Sequence, residues 1–287
     1  LYQTSIRCEI SASGVGLHTG EVCSVVLRPA KADTGWLVRR GDIVGSRLER
    51  VTAAMLRVGG YATILSISGA RLTTVEHLFS ALFAHNIDNV IIEVNGPEVP
   101  VFDGSATFWD EAIRGAGLVK YSEKARFLIV NRTIRKTDGD RWIEISPPTG
   151  PASRVLSLDV RTVFNHPLLG NMETQFDLSA DYFSKEIAWA RTFCFEREIS
   201  DLKASGLAKG GDLSNAVVFS DDGVVNVGGL KAKDEVLRHK ALDLLGDLSI
   251  LNSRLAGTIR TFMPGHTLTA SLVQELFSEP NSWAIHT

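Results

Sequence analysis

The sequence predicts an α+β protein built from two domains, and three observations carry that expectation. The chain has 287 residues, enough for two domains with substantial cores. Strand-like alternation gives way to helical periodicity twice, once in each half, whereas a parallel α/β sheet would alternate strand with helix throughout. Between the two runs lies a polar stretch, K-Y-S-E-K-A at 120–125, which reads as a linker. The domains are therefore expected at 1–122 and 126–287.

In the first half, alternation is clearest in E-V-C-S-V-V-L-R (21–28) and G-W-L-V-R-R (35–40), with turn residues P-A-K-A-D-T-G between them. A helical period follows at 74–85, then a strand at N-V-I-I-E-V (89–94), a Gly/Pro-rich turn region and a second helical stretch at 107–116. The second half repeats the order, with strands at R-F-L-I-V, R-W-I-E-I and V-L-S-L-D-V. Helices are expected at 179–190, 234–252 and 267–278. The Gly-rich S-G-L-A-K-G-G-D-L at 205–213 reads as a mobile connection inside this half.

Composition excludes several classes of function. Hydrophobic content is 44%, charged content 22% and the formal charge −3, so no general basic field points to nucleic acid. No run approaches the roughly 18 apolar residues of a membrane helix. The opening L-Y-Q-T-S-I-R-C-E-I lacks the charged start and apolar core of a signal peptide. Cys8, Cys23 and Cys194 form no CxxC pair, which argues against a disulfide framework or a cysteine zinc site. Buried, reduced thiols and a cytoplasmic location are the expectation.

Chemistry concentrates in a few segments. G-V-G-L-H-T-G (14–20) fits neither phosphate-binding template, because its third glycine falls at 20 and no G-K-[ST] follows. It reads as a turn between strands, and His18 is left without a role. On the helix at 74–85, Val75, Leu78, Phe79 and Leu82 share one face while His77 lies nearly opposite, with Ala81 and Ala84. Small residues there imply that something packs closely over His77. Glu76 has two readings, since T-T-V-E (73–76) matches a capping box in which the glutamate only satisfies backbone N–H groups.

The helix at 234–252 says more. Leu237, Ala241, Leu244, Leu248 and Leu251 form a core stripe, and His239, Asp243 and Asp247 form a second one bordered by Val236, Gly246 and Ile250. Positions four apart on a helix bring side chains about 5–6 Å from each other, so His239 and Asp243 can reach one ion. The alternative is a surface His–Asp pair of little energetic value. Two ligands are too few for zinc, and a third must come from elsewhere. In T-F-M-P-G-H-T-L (261–268), His266 follows a Pro-Gly turn. It is an ordinary polar residue unless it faces Asp247, which would orient it and hold it cationic.

Taken together, T-V-E-H-L (74–78), R-H-K-A-L-D-L-L-G-D (238–247) and P-G-H (264–266) closely resemble the UDP-3-O-acyl-N-acetylglucosamine deacetylases, zinc amidohydrolases of lipid A biosynthesis in Gram-negative bacteria. The likeness continues through G-V-G-L-H-T-G, the long 87–106 stretch ending D-G-S-A, F-N-H-P (164–167) and A-R-T-F (190–193), in order, over both halves. The resemblance implies two similar two-layer domains packed helix to helix in a β-α-α-β sandwich, each with a small insert. It also implies one catalytic Zn²⁺ held by His77, His239 and Asp243, a ligand set that Fe²⁺ would also accept. Three protein ligands leave an open position, as catalytic zinc sites do.

The resemblance further implies Glu76 as the base, His266 as the cationic acid, Asp247 as its orienting partner, and Thr192 and Lys240 as supports for developing negative charge. Arg141 would meet the diphosphate and Phe193 the sugar. An insert at about 193–222 would form an acyl-chain passage lined by Ile199, Leu202, Leu207, Gly211, Leu213 and Ala216. The implied reaction is hydrolysis of the N-acetyl group of an acylated UDP-N-acetylglucosamine to the free amine and acetate, the committed step of lipid A biosynthesis. The expected enzyme is monomeric and cytoplasmic, without a membrane span but compatible with peripheral membrane contact. Two rival readings are a zinc amidase acting on another nucleotide sugar and a non-catalytic protein that holds lipid or nucleotide.

Overall fold

Residues 1–57, 59, 61–149 and 154–287 are described by a computed structural model of the chain. Where β-branched and aromatic residues alternate with polar ones, strands form and bury one face. Ile10–Val15, Val22–Pro29, Val90–Asn95, Trp36–Arg40 and Glu49–Arg50 make one sheet in that spatial order. Its inward face is Val25, Leu27, Trp36, Val38, Ile92 and Val94, all buried. A second, larger sheet turns on Arg254–Phe262, which pairs antiparallel with Arg141–Ser146 and parallel with both Leu156–Phe164 and Phe127–Val130. Ile143, Ile145, Leu158, Val160 and Ile259 are its buried face.

Between the sheets lie α1 (Glu76–Ala84), α2 (Thr107–Ala116), α4 (Glu235–Leu248) and α5 (His266–Ser278), while α3 (Glu196–Ala204) packs on the short strand Phe193–Phe195. All nine residues of α1 are buried, as are all of α4 except Arg238 and Lys240. A helix covered on every side belongs at the centre of a core, and one apolar cluster runs from Phe79 and Leu82 to Leu244 and Leu248. The molecule is thus an α+β sandwich of sheet, helices, helices and sheet, with α1 packed on α4. Each half carries a small insert: a three-stranded sheet at Leu56–Arg57, Ile64–Ile67 and Ala70–Thr73, and a parallel pair at Phe193–Phe195 and Val217–Phe219.

Several local expectations are corrected. The polar stretch at 120–125 is mostly a strand, Leu118–Lys124, paired with Tyr2–Ile6. Tyr121 donates its hydroxyl to the Ala30 carbonyl at 2.6 Å, while Lys120 and Lys124 lie over the Tyr2 ring. A two-stranded edge needs only one packed face, so its charges resemble a linker. The helix expected at 179–190 is one α-turn, Ala180–Tyr182, followed by a π-helical turn at Phe183–Ile187. The 205–213 loop is tied to the 14–20 turn through Lys209 N–H to the His18 carbonyl (3.2 Å) and Gly210 N–H to the Leu17 carbonyl (3.0 Å). Of the three free cysteines only Cys23 is buried; Cys194 is half-buried and Cys8 exposed.

Candidate metal centre and active site

The crossing of α1 and α4 builds the site. Gly246 lies against the first turn of α1, and a Cβ there would stand 2.7 Å from the Glu76 Cα. This close approach brings His77 onto the stripe of α4, with the His77 and His239 rings edge to face at 5.2 Å. The capping-box reading of Glu76 fails, because the N-cap residue is Val75 and makes no side-chain cap. Glu76 instead points into the site, where Oε2 accepts the Thr63 N–H at 3.1 Å.

One ligand atom from each of His77, His239 and Asp243 lies within 4.8 Å of the others, and all three residues are buried. His77 Nδ1 has no hydrogen-bond partner among the described residues, unusual for a buried imidazole with only a structural role. His239 Nδ1 faces the Ala190 carbonyl at 2.9 Å, which leaves Nε2 beside Asp243 Oδ1 at 3.2 Å. Such an outer contact fixes the tautomer and orientation of a ligating imidazole. Two imidazoles and one carboxylate suit zinc or ferrous iron, so these residues form a site for a single divalent ion.

The electrostatics agree with that use. Burial, with His239 beside it, pulls the His77 imidazole down to about 3. Burial also lowers His239, against the opposing pull of Asp243. Burial acts against ionised Asp243 too, yet His239, Lys240 and His266 hold its carboxyl well below the usual range. The donors are therefore already in their ligating protonation states. Burial pushes the Glu76 carboxyl up to about 8, with Asp243 and Asp247 adding to it and His266 opposing. For His266 burial alone would lower the pKa, but the charge and hydrogen bond of Asp247 outweigh it and raise it to about 10.

His266 begins α5 and faces Asp247, with Nδ1 3.1 Å from both carboxylate oxygens. Thr63 completes this group: its hydroxyl donates to Asp247 and lies 3.3 Å from His266 Nδ1. Sequence reasoning missed Thr63, which sits in the first insert with no local pattern to mark it. Lys240 Nζ is 3.3 Å from Asp243 Oδ2 and 5.4 Å from the centre of the Phe193 ring, which in turn stands 6.4 Å from His239. Thr192 is fixed by its N–H to the Gly104 carbonyl at 2.7 Å and by its carbonyl to Val217 N–H at 2.8 Å. Arg141 pairs with Asp138, and its Nη1 would be 3.7 Å from a Cβ on Gly265, next to His266.

Thr192 and Phe193 line a solvent-open cleft of about 1040 Å³, its open mouth included, together with Ile199, Leu202, Gly211, Leu213 and Ala216. Leu207 departs from the expected lining. The chain reverses at Gly206 (φ +79), and Leu207 N–H bonds back to the Leu202 carbonyl. That turn puts Leu207 in a neighbouring cleft with Tyr61, Arg71 and Pro97. His18 lines both clefts, its Nε2 buried without a partner among the described residues. His85 and His166 are buried against Asp110 (2.7 Å) and the Ser220 carbonyl (2.8 Å).

Comparison with known proteins agrees with this geometry. Residues 3–278 match the family model LpxC, UDP-3-O-acyl N-acetylglycosamine deacetylase. Relatives named UDP-3-O-acyl-N-acetylglucosamine deacetylase include one from Shewanella loihica, 36% identical over 99% of this chain and 92% of its own length. Another, from Anaeromyxobacter sp., is 37% identical over 97% of this chain and 89% of its own. A third, from Brucella melitensis biotype 2, is 37% identical over 99% and 98%. The site lies within the matched residues, and the chain belongs to the UDP-3-O-acyl N-acetylglycosamine deacetylase family.

Proposed function

We propose that the protein is a zinc-dependent amidohydrolase that removes the N-acetyl group of UDP-3-O-[(3R)-3-hydroxyacyl]-N-acetylglucosamine, giving the free amine and acetate. The observation that carries the reading is a buried His77–His239–Asp243 donor set beside a carboxyl, Glu76, raised to about 8 and an imidazole, His266, raised to about 10. A carboxyl raised toward neutrality beside a histidine held cationic is the arrangement of a base and an acid acting in one reaction. When bound, zinc would polarise an amide carbonyl and acidify water.

The chain's own residues supply the rest. Glu76 accepts the proton of the attacking water. His266, oriented by Asp247 and Thr63, delivers a proton to the departing amine nitrogen. The Thr192 hydroxyl and the Lys240 ammonium face the carbonyl oxygen as it gains charge, a contribution of a few kcal/mol for a well-placed donor. Phe193 packs on the sugar and Arg141 pairs with the diphosphate, for which a guanidinium fork is well shaped. The insert at about 193–222, within a second domain of 126–287, forms the acyl passage; Leu207 is left outside it.

No helix of the described residues is long and apolar enough to cross a membrane. We infer a monomer that meets its substrate in the cytoplasm, with at most peripheral contact to a membrane surface. The test is acetate release from the acylated UDP-sugar by metal-analysed protein, with the unacylated sugar as comparison. Release that depends on stoichiometric zinc and is faster with the acyl chain is expected. A stoichiometrically loaded protein that releases acetate from neither compound would overturn the reading.

A further inference from the structure

Two segments that share no strand or helix flank the site: the 14–20 turn, whose Leu17 and His18 line the apolar cleft, and the buried approach to α1 at Thr74, which leads directly into Glu76 and His77. Both end on one side chain. Glu98 has no exposed surface, and no ion pair neutralises it among the described residues. Its Oε1 accepts the Thr74 hydroxyl at 2.6 Å and the His18 N–H at 2.9 Å. Its Oε2 accepts the Thr19 N–H at 2.8 Å and the Thr19 hydroxyl at 2.7 Å. A buried carboxylate is costly unless its oxygens are saturated; among the described residues the donors to its side chain are neutral and come from these two segments alone.

Thr74 itself stands at φ +58, a left-handed conformation that a β-branched residue adopts only when its surroundings impose it. The imposed turn aims the chain so that Glu76 and His77 follow within one helical turn. On the other side, Gly16 permits the contact, since a Cβ there would lie 2.8 Å from Glu98 Cδ.

We propose that Glu98 is a positioning residue that locks the 14–20 turn to the Thr74 bend, and so sets where the base and the cleft wall stand. The consequence for turnover rests on the function proposed above, whereas the lock does not.

Four variants test it: Glu98→Gln, Thr74→Val, Thr74→Ser and the Glu98→Gln/Thr74→Val pair. Glutamine keeps the shape of Glu98 but turns an N–H₂ toward donors, and valine keeps the shape of Thr74 without its hydroxyl. The kcat of Glu98→Gln and of Thr74→Val should fall on the order of ten- to hundredfold. The pair should be no worse than Glu98→Gln alone, and Thr74→Ser should stay near wild type because the hydroxyl remains. Amide hydrogen exchange, read without substrate, should speed up on the order of tenfold at His18 and Thr19 in Glu98→Gln.

Wild-type exchange in folded Glu98→Gln overturns the proposal, as does a Thr74→Val enzyme with full kcat. If Glu98→Gln does not fold, the contrast between valine and serine at position 74 decides. Faster exchange in a protein whose wild type releases no acetate supports the lock and removes the functional reading instead.

Discussion

Gly246 and Glu76 meet backbone to backbone, since a Cβ on Gly246 would stand 2.7 Å from the Glu76 Cα. A glycine inside a helix costs about 1 kcal/mol relative to alanine. Here the cost is offset by the approach of two helices that carry a shared donor set. Gly246→Ala should push α4 off the first turn of α1. The expected loss is about 1–3 kcal/mol of stability, as for other overpacked cores, together with weaker zinc binding. Denaturant unfolding and a competitive zinc titration would measure both. An alanine variant with wild-type values in each would show that the contact does not hold the site together.

Zinc binding should release a proton from Glu76. In the metal-free protein at pH 7, His77 and His239 are already neutral and Asp243 already ionised. Glu76, raised to about 8, is mostly protonated. A nearby cation favours the charged carboxylate and lowers its pKa, so the proton leaves as the ion enters. Calorimetry in buffers of different ionisation enthalpy should find about one proton more released by wild type than by Glu76→Gln. Equal release would mean that Glu76 is ionised before the metal arrives.

The His266–Asp247 pair predicts the direction of a pH effect. His266 is raised from the ordinary imidazole value of about 6.5 to about 10. Its interaction therefore stabilises the metal-free fold fully below pH 6.5 and is lost as pH rises toward 10. In Asp247→Asn, burial is opposed only by Asp243 and Glu76, so the raised pKa should fall by about a unit or more. Stability should then decline less between pH 7 and 10, and the alkaline limb of kcat/KM should move to lower pH. Identical alkaline limbs in the two proteins would detach His266 from the proton transfer proposed for it.

The parts of the fold that follow local rules are legible in the sequence. The period of α4 places His239 and Asp243 on one stripe, and the alanines opposite the core face of α1 betray a partner packed over His77. What is not legible depends on the other half of the molecule. Thr63 has no local pattern and gains its place only when the first insert folds over Asp247. Glu76 fits a capping box in sequence, but Thr74 turns left-handed and Val75 becomes the N-cap residue. Leu207 lies on a reversal at Gly206 that composition does not reveal. The edge strand Leu118–Lys124 looks like a linker because exposed charges cover its outer face.

The cleft can be tested by filling it. Ala216 follows the 205–213 loop, lies at the wall of the cleft and is 9% exposed. Its backbone is held by its N–H to the Asp212 carbonyl and by the Asn226 side chain on its own carbonyl. Ala216→Phe therefore adds a ring into the cleft from a fixed point, far from the donor set in sequence. If the acyl chain runs there, kcat/KM for the acylated substrate should fall on the order of tenfold or more, because each displaced methylene forfeits about 0.8 kcal/mol of burial. The slower reaction of the unacylated sugar should stay within about twofold, since its transition state makes no use of the cleft. Measuring both substrates on one preparation separates a filled passage from a damaged active site. An unchanged kcat/KM for the acylated substrate would place the acyl chain elsewhere, whereas an equal loss on both would report a damaged active site.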